Sequence, residues 1–143
     1  NVPELIISEY LPGVEVTVDT IINRGSVIES TIRSRDSINN GISTSGKFIE
    51  NDKITKQISK IINIFPGLHG PIGFQFKESK DYEYKILECN PRLQGTSVSA
   101  LGCGINYPIM AVKNELNIPI NNERKLSNIG FVRYYNELFY ECK

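Results

Sequence analysis

Glu88-Cys89-Asn90-Pro91-Arg92 closes an apolar run, Tyr84 to Leu87, that reads as a β-strand. Successive strand side chains turn to opposite faces, so Glu88, Asn90 and Arg92 are expected to project together, with Cys89 pointing the other way, into the core. That face carries a carboxylate, an amide oxygen and a guanidinium. Hard cations such as Mg²⁺ take oxygen ligands, often shared with substrate phosphates, and a guanidinium suits phosphate itself. Gln75 lies on the preceding strand, and a hairpin between 72–77 and 82–89 would bring its amide oxygen near Glu88. The set reads as a metal–nucleotide site. The same residues also suit a solvent-facing strand, with 91–95 as an ordinary exit loop.

A second constellation is Glu9-Tyr10-Leu11-Pro12-Gly13-Val14-Glu15. A strand running into a Pro-Gly turn leaves backbone N–H and C=O groups free to bond an adenine edge, and a following carboxylate can accept ribose hydroxyls. Pro-Gly turns flanked by acids are common without any ligand. Arg33 and Arg35 share one strand face beside a loop rich in Gly, Ser and Thr, where they would suit phosphate or a substrate carboxylate, or simply water. Gln94 to Ser99 enters a short helix, whose N-terminus either attracts an anion or is capped by Thr96. His69, the only histidine, has no triad partner in sequence and receives no role.

These groups must be positioned by regular elements. Leu5 to Glu9 is a short β-prone run. From Val14 to Ile22, valines alternate with Glu15, Thr17 and Asp19, the pattern of a half-buried strand. Asn23-Arg24-Gly25 signals a hairpin into a strand over Ser26 to Arg33. Asp36 to Gly46 reads as a loop. Asp52 sits where an N-cap belongs, and Ile54, Ile58, Ile61, Ile62 and Phe65 recur at helical spacing up to Pro66-Gly67. Ile72, Phe74 and Phe76 alternate with Gly73, Gln75 and Lys77 on one strand, and Tyr82 to Cys89 forms its partner. Short helices follow over Ser97 to Leu101 and from Tyr107 to about Leu116, the second capped by Asn106 with Pro108 in its first turn. Ile129 to Tyr135 closes the chain as a strand. The order β-β-β-α-β-β-α-α-β gives an α+β class with a mostly antiparallel sheet.

The chain has 143 residues, one domain's worth, and 40% hydrophobic residues, enough for a real core. Lys plus Arg and Asp plus Glu both number 16, so bulk charge asks for neither nucleic acid nor a membrane surface. No apolar run approaches the roughly 20 residues that span a bilayer. Three cysteines, Cys89, Cys103 and Cys142, lack metal-ligand spacing and suggest reduced thiols in the cytoplasm. The chain opens on Asn1-Val2-Pro3-Glu4 and runs straight into an apolar stretch without an initiator Met, so a piece of a longer protein is expected.

Taken in order, these segments resemble the ATP-grasp superfamily, in particular the ATP-binding domains of the carbamoyl phosphate synthase large subunit. ISEYLPGVEVTVD (7–19) is similar to the family's adenine hinge and ribose-binding acid. GPIGFQF (70–76) is similar to the strand with a metal-binding Gln, and ILECNPRLQGTS (86–97) to its Glu-x-Asn-x-Arg signature. INYPIMAVKNEL (105–116) is similar to the helix that follows. The resemblance runs from Ile6 to about Tyr135 but covers only the C-terminal portion of one such domain. The family's glycine-rich phosphate-covering loop and the basic residues that accompany it have no counterpart here.

The resemblance implies an ATP-dependent carboxylate ligase that works through an acyl phosphate, with ATP and Mg²⁺ (or Mn²⁺) as cofactors and a small carboxylate as substrate. Glu88 would bridge two metal ions, with Gln75 on the first and Asn90 on the second. Arg92 would be the catalytic residue over the transferred phosphoryl group. Glu9 and the Tyr10–Leu11 backbone would meet adenine, Glu15 the ribose, and Arg33 and Arg35 the phosphates or substrate. These 143 residues alone are expected to bind nucleotide weakly and not to turn over. The alternative is a non-catalytic nucleotide-binding or interaction module that keeps the fold.

Overall fold

The computed structural model describes residues 4–121, 124 and 128–141. Seven strands form one antiparallel system: β1 (Glu15–Asn23), β2 (Ser26–Ser34), β3 (Ser37–Asn39), β4 (Ile42–Ile49), β5 (Gly70–Glu78), β6 (Tyr84–Asn90) and β7 (Gly130–Val132). The sheet order is β3-β4-β2-β1-β5-β6, and β7 pairs with β4. Two α-helices, α1 (Asp52–Ile64) and α2 (Tyr107–Glu115), and a 3₁₀ segment (Ser97–Cys103) complete the α+β fold. No helix among the described residues is long and apolar enough to cross a membrane.

The hairpin between β5 and β6 forms as expected, pairing Gln75 with Glu88 and Gly73 with Asn90. Other expectations need correction. Leu5 to Glu9 is not a strand; 4–14 is irregular and mostly exposed. Asp36 to Gly46, read as a loop, contains β3 and the start of β4. The signal was there in Asn40-Gly41, which both take positive φ (49° and 76°), the backbone a tight hairpin turn demands. The closing strand shrinks from 129–135 to three residues. Asn51, not Asp52, caps α1: its Oδ1 accepts from the backbone N–H groups of Lys53 (3.0 Å) and Ile54 (3.2 Å). Asp52 is instead the first helical residue, where its charge favours the helix N-terminus. Asn106 does cap α2, accepting from the Ile109 N–H at 3.1 Å. Thr96 makes no side-chain cap to the 3₁₀ segment. Cys142 lies outside the described residues.

The largest departure concerns β1, which is buried on both faces rather than one. On one face α1 lays Ile54, Ile58 and Ile62 over Val16, Val18, Ile72, Phe74 and Phe76. Each such side chain, fully buried, contributes about 1.5–3 kcal/mol. On the other face Ile21 and Phe48 pack against Ala100, Cys103, Ile105, Tyr107 and Met110 of the 3₁₀ segment and α2. That cover also closes over Thr17 and Asp19, which alternation alone assigns to solvent.

A buried polar group needs a partner, and this layer supplies several. Arg33, with no exposed surface, places Nη1 2.6 Å from Asp19 Oδ2 in an ion pair and donates from the same nitrogen to the Thr96 carbonyl at 2.8 Å. The Tyr107 hydroxyl donates to the Asp19 carbonyl (2.9 Å) and shares a 2.8 Å bond with Thr31. Gln94 crosses β5 at Gly73 to donate to the Val18 carbonyl at 3.2 Å. Burial pushes the Asp19 carboxyl up to about 6, more than Arg33 pulls it down, and the same desolvation lowers Arg33.

Two predictions follow from this layer. A Cβ at Gly73 would lie 2.1 Å from Gln94 Nε2 and 2.3 Å from its Cγ, so Gly73→Ala expels the Gln94 side chain. Losing a buried hydrogen bond in this way costs about 1–3 kcal/mol in chemical denaturation, and less in a Gln94→Ala background. A neutral Gly73→Ala would show that the crossing is dispensable. Folded Asp19 holds its proton more tightly than unfolded Asp19. The stabilisation from that proton is therefore full below the ordinary carboxylate value of 3.8 and is lost as pH rises through about 6. Measured as a difference from Asp19→Asn, wild-type stability should rise as pH is lowered from about 7 to 4; a flat difference would remove the argument.

Candidate nucleotide and metal site

The site lies on the sheet face opposite α1, towards the β5–β6 edge. Phe74 and Phe76 point into the α1 core, so Gly73, Gln75 and Lys77 occupy the other face. Opposite them in β1 stand Asp19, Thr17 and Glu15. Beyond α2 and the 3₁₀ segment, the polar side chains of this face grade from the largely buried Arg35 to the exposed Glu88, and they join into one relay.

Arg35 is its centre. Its Nε ion-pairs with Glu15 Oε1 at 3.2 Å, its Nη1 donates to Gln75 Oε1 at 3.3 Å, and its Nη2 donates to the Gly41 carbonyl at 2.8 Å. Gln75 Nε2 then donates to Glu88 Oε1 at 2.7 Å, and Asn90 Nδ2 donates to the same oxygen at 2.5 Å. The structure thus brings together Glu15, Arg35, Gln75, Glu88 and Asn90. Sequence reasoning paired Gln75 with Glu88 and Asn90; Arg35 as the link to Glu15 is additional.

The other candidates are placed differently. Arg92 lies past the end of β6, exposed, after a turn closed by its N–H on the Asn90 carbonyl (2.7 Å). Its Nη1 donates to the neighbouring Leu93 carbonyl at 3.0 Å, so the Arg92 guanidinium is turned towards Leu93 and not towards the Glu88 and Asn90 side chains. Arg33 is wholly buried and holds Asp19 and Thr96, so it presents no surface to a ligand here; direct phosphate contact is replaced by support of the 94–96 segment. Cys89, expected in the core, is exposed: it pairs across with Phe74 on the edge strand β6, of which Tyr84, at the other end, is the residue buried in the α1 core. His69, given no role, joins two elements: its Nδ1 accepts the Arg24 N–H (3.2 Å) and its Nε2 lies 3.1 Å from Glu115.

The hinge-like residues Glu9, Tyr10, Leu11 and Glu15 line an open cavity of about 290 Å³ at the same edge, together with Lys77 and Leu87. Glu9 is held by an ion pair with Lys85. Leu87 and Lys77 were missed in the sequence. Leu87 sits inside an apolar run that reads as core, and Lys77 is an ordinary polar residue on an alternating strand. Asp19 and Gln94 were missed because nothing local says that their face is covered.

Gln75, Glu88 and Asn90 supply a hard-oxygen donor set that suits Mg²⁺ or Mn²⁺ once the two amides turn their oxygens inward. Only one member is acidic, and no cluster of three His, Cys, Asp or Glu side chains exists among the described residues. Such a set fits a metal that arrives with phosphates better than a metal bound alone.

Three comparisons bear on this geometry. A search of curated proteins finds no match. Among solved structures, the ADP complex of N5-carboxyaminoimidazole ribonucleotide synthetase superposes with a TM-score of 0.62 at 16% identity, covering 82% of this chain and 33% of that one. A biotin carboxylase complex from Campylobacter jejuni gives 0.62 at 18% identity, covering 80% and 28%. An L-amino acid ligase from Bacillus licheniformis gives 0.55 at 18%, covering 75% and 30%. The chain therefore spans about a third of the length of these proteins and shares the fold of their corresponding part. A family model described as "ATP-grasp in the biosynthetic pathway with Ter operon" matches residues 1–137, and with that match over nearly its whole length the chain belongs to the ATP-grasp family.

Proposed function

We propose that this chain is the C-terminal portion of one ATP-grasp domain and forms the adenine, ribose and metal-binding part of an ATP-dependent carboxylate ligase. The observation that carries the reading is the unbroken relay from Glu15 through Arg35 and Gln75 to Glu88 and Asn90, which begins at the hinge cavity and ends at the hard-oxygen donors. Such a line matches a nucleotide laid with its base at Tyr10–Leu11 and its phosphates towards Glu88. Glu9 and the backbone at 10–11 would take the adenine edge, and Glu15 the ribose hydroxyls.

In this reading a carboxylate oxygen of the substrate attacks the γ-phosphorus of ATP. The new C–O–P linkage forms as the bond to the β-phosphate oxygen breaks, leaving ADP and an acyl phosphate. An amine or other nucleophile then attacks the acyl carbon and inorganic phosphate leaves. Glu88, Gln75 and Asn90 would hold Mg²⁺, which would supply neutralisation of charge on the phosphate oxygens. Arg92, free at the end of β6, swings from the Leu93 carbonyl to the transferred group. Arg33 acts by holding Thr96, which fixes the segment after Arg92. The protein's contribution is positioning and electrostatics rather than covalent chemistry. Carbamoyl phosphate synthase-like chemistry is one form of this reaction; joining an amino acid or a sugar acid is another. Two free thiols, Cys89 and Cys103, agree with a cytoplasmic setting.

The test is ligand-dependent thermal stability of the full-length protein. A ligand that binds only the folded state stabilises by about 2.7 kcal/mol at a hundredfold excess over Kd, so ATP with Mg²⁺ should raise the melting temperature clearly. Mg²⁺ without nucleotide should do little, because a single carboxylate holds it. Glu88→Gln should remove the Mg²⁺-dependent part of the shift and leave the metal-free nucleotide shift. If the full-length protein shows no shift with either nucleotide, the ligase reading fails; if it binds but never releases ADP with any carboxylate and amine, a non-catalytic module is the better description.

A further inference from the structure

Lys77 is the cation at the hinge cavity that nothing else accounts for. It lies directly across from Glu15 on one side and from Lys85 on the other. Both carboxylates of the cavity are already engaged, Glu9 by Lys85 and Glu15 by Arg35. Among the described residues the Lys77 ammonium makes no ion pair and no hydrogen bond, although the residue lines the cavity and is half-buried. A like charge directly across a strand pair is unfavourable, and a partly desolvated cation without a partner adds to that cost. An anionic ligand would remove both penalties.

Its place along β5 says which anion. Lys77 and Gln75 share a face and stand two residues, about 7 Å, apart. Lys77 therefore lines the hinge cavity two residues along β5 from Gln75, the nearest of the candidate metal ligands on that strand. A nucleotide spanning those two points lays its phosphate chain past Lys77. The aliphatic stem can pack beside the sugar while the charged head reaches on, as lysines at apolar–polar boundaries do. We propose that Lys77 is a phosphate-binding residue of this site, contacting the phosphates nearest the ribose. The proposal rests on the nucleotide reading above and deepens it by adding a residue to which no role has been given.

The experiment is isothermal titration of the full-length protein with adenosine, AMP, ADP and ATP, for wild type, Lys77→Met and Lys77→Arg. Methionine keeps the length of the stem and removes the charge. Loss of a charge-assisted bond should weaken AMP, ADP and ATP about tenfold or more while adenosine binding stays unchanged. Lys77→Arg should restore most of the phosphate-dependent affinity. The unliganded melting temperature should be unchanged or higher in Lys77→Met, since an unpaired cation has been removed; that measurement also shows the variant is folded. Equal weakening of adenosine and the phosphorylated ligands would place Lys77 on the base or sugar and overturn the proposal. Unaltered affinity for all four, with wild type binding normally, would overturn it while leaving the nucleotide reading standing. If wild type binds none of them, both fall together.

Discussion

Arg33 is an internal support from which much of the functional face is built. Its charge is buried inside the sheet layer, and one nitrogen serves both Asp19 on the neighbouring strand and the Thr96 carbonyl on the segment leaving β6. A buried ion pair of this kind adds little net stability, because desolvation offsets attraction, but breaking one side of it is costly. What it supplies is geometry. Together with Gln94 threading over Gly73 and Tyr107 reaching the Asp19 carbonyl, it fixes how the 94–96 segment and α2 sit on β1. The end of β6, with Glu88 and Asn90, then has one position relative to β5.

That same cover divides the sheet face in two. Beneath the 3₁₀ segment and α2, polar side chains from β1 and β2 are dry and serve the fold. One step further along each strand, the next polar side chains on that face, from the largely buried Arg35 to the exposed Glu88, bond to one another instead of to the cover. Arg33 and Arg35 illustrate the division. They lie two residues apart on one face of one chain segment, yet one is enclosed and the other links the hinge cavity to the metal donors. The boundary is set by where a separate part of the chain lands, not by either arginine.

This explains which parts of the molecule were readable in advance. The β5–β6 hairpin, α1, the Asn106 cap and the grouping of Gln75, Glu88 and Asn90 rest on local periodicity and register, and they were legible. That Glu9, Tyr10, Leu11 and Glu15 share one cavity follows from their closeness along the chain. Asp19, Gln94 and the burial of Arg33 depend on contacts between residues far apart in sequence, for which one sequence offers no sign. The Asn40-Gly41 hairpin was a different failure: the turn chemistry was present, but the surrounding serines and glycine obscured the three-residue β3 and the first half of β4, whose stability comes from pairing rather than propensity. Likewise Cys89 was given the right face and the wrong environment, because alternation reports direction and not what covers it.

The two amides that converge on Glu88 set how charge is balanced on this face. Three carboxylates in that position would repel one another until a cation arrived; a single carboxylate flanked by two amide donors is at rest without one. An amide exchanges donor for acceptor by a half-turn, with almost no change of shape. Gln75 cannot make that turn privately, because its oxygen is bonded to Arg35, which also holds Glu15. Reversing Gln75 presents N–H groups to a guanidinium that can only donate, so Arg35 must let go, and its hold on Glu15 is disturbed in turn. The Glu15 end and the Glu88 end of the face are therefore wired through a single rotatable side chain, so that whatever turns Gln75 at one end alters the bonding at the other.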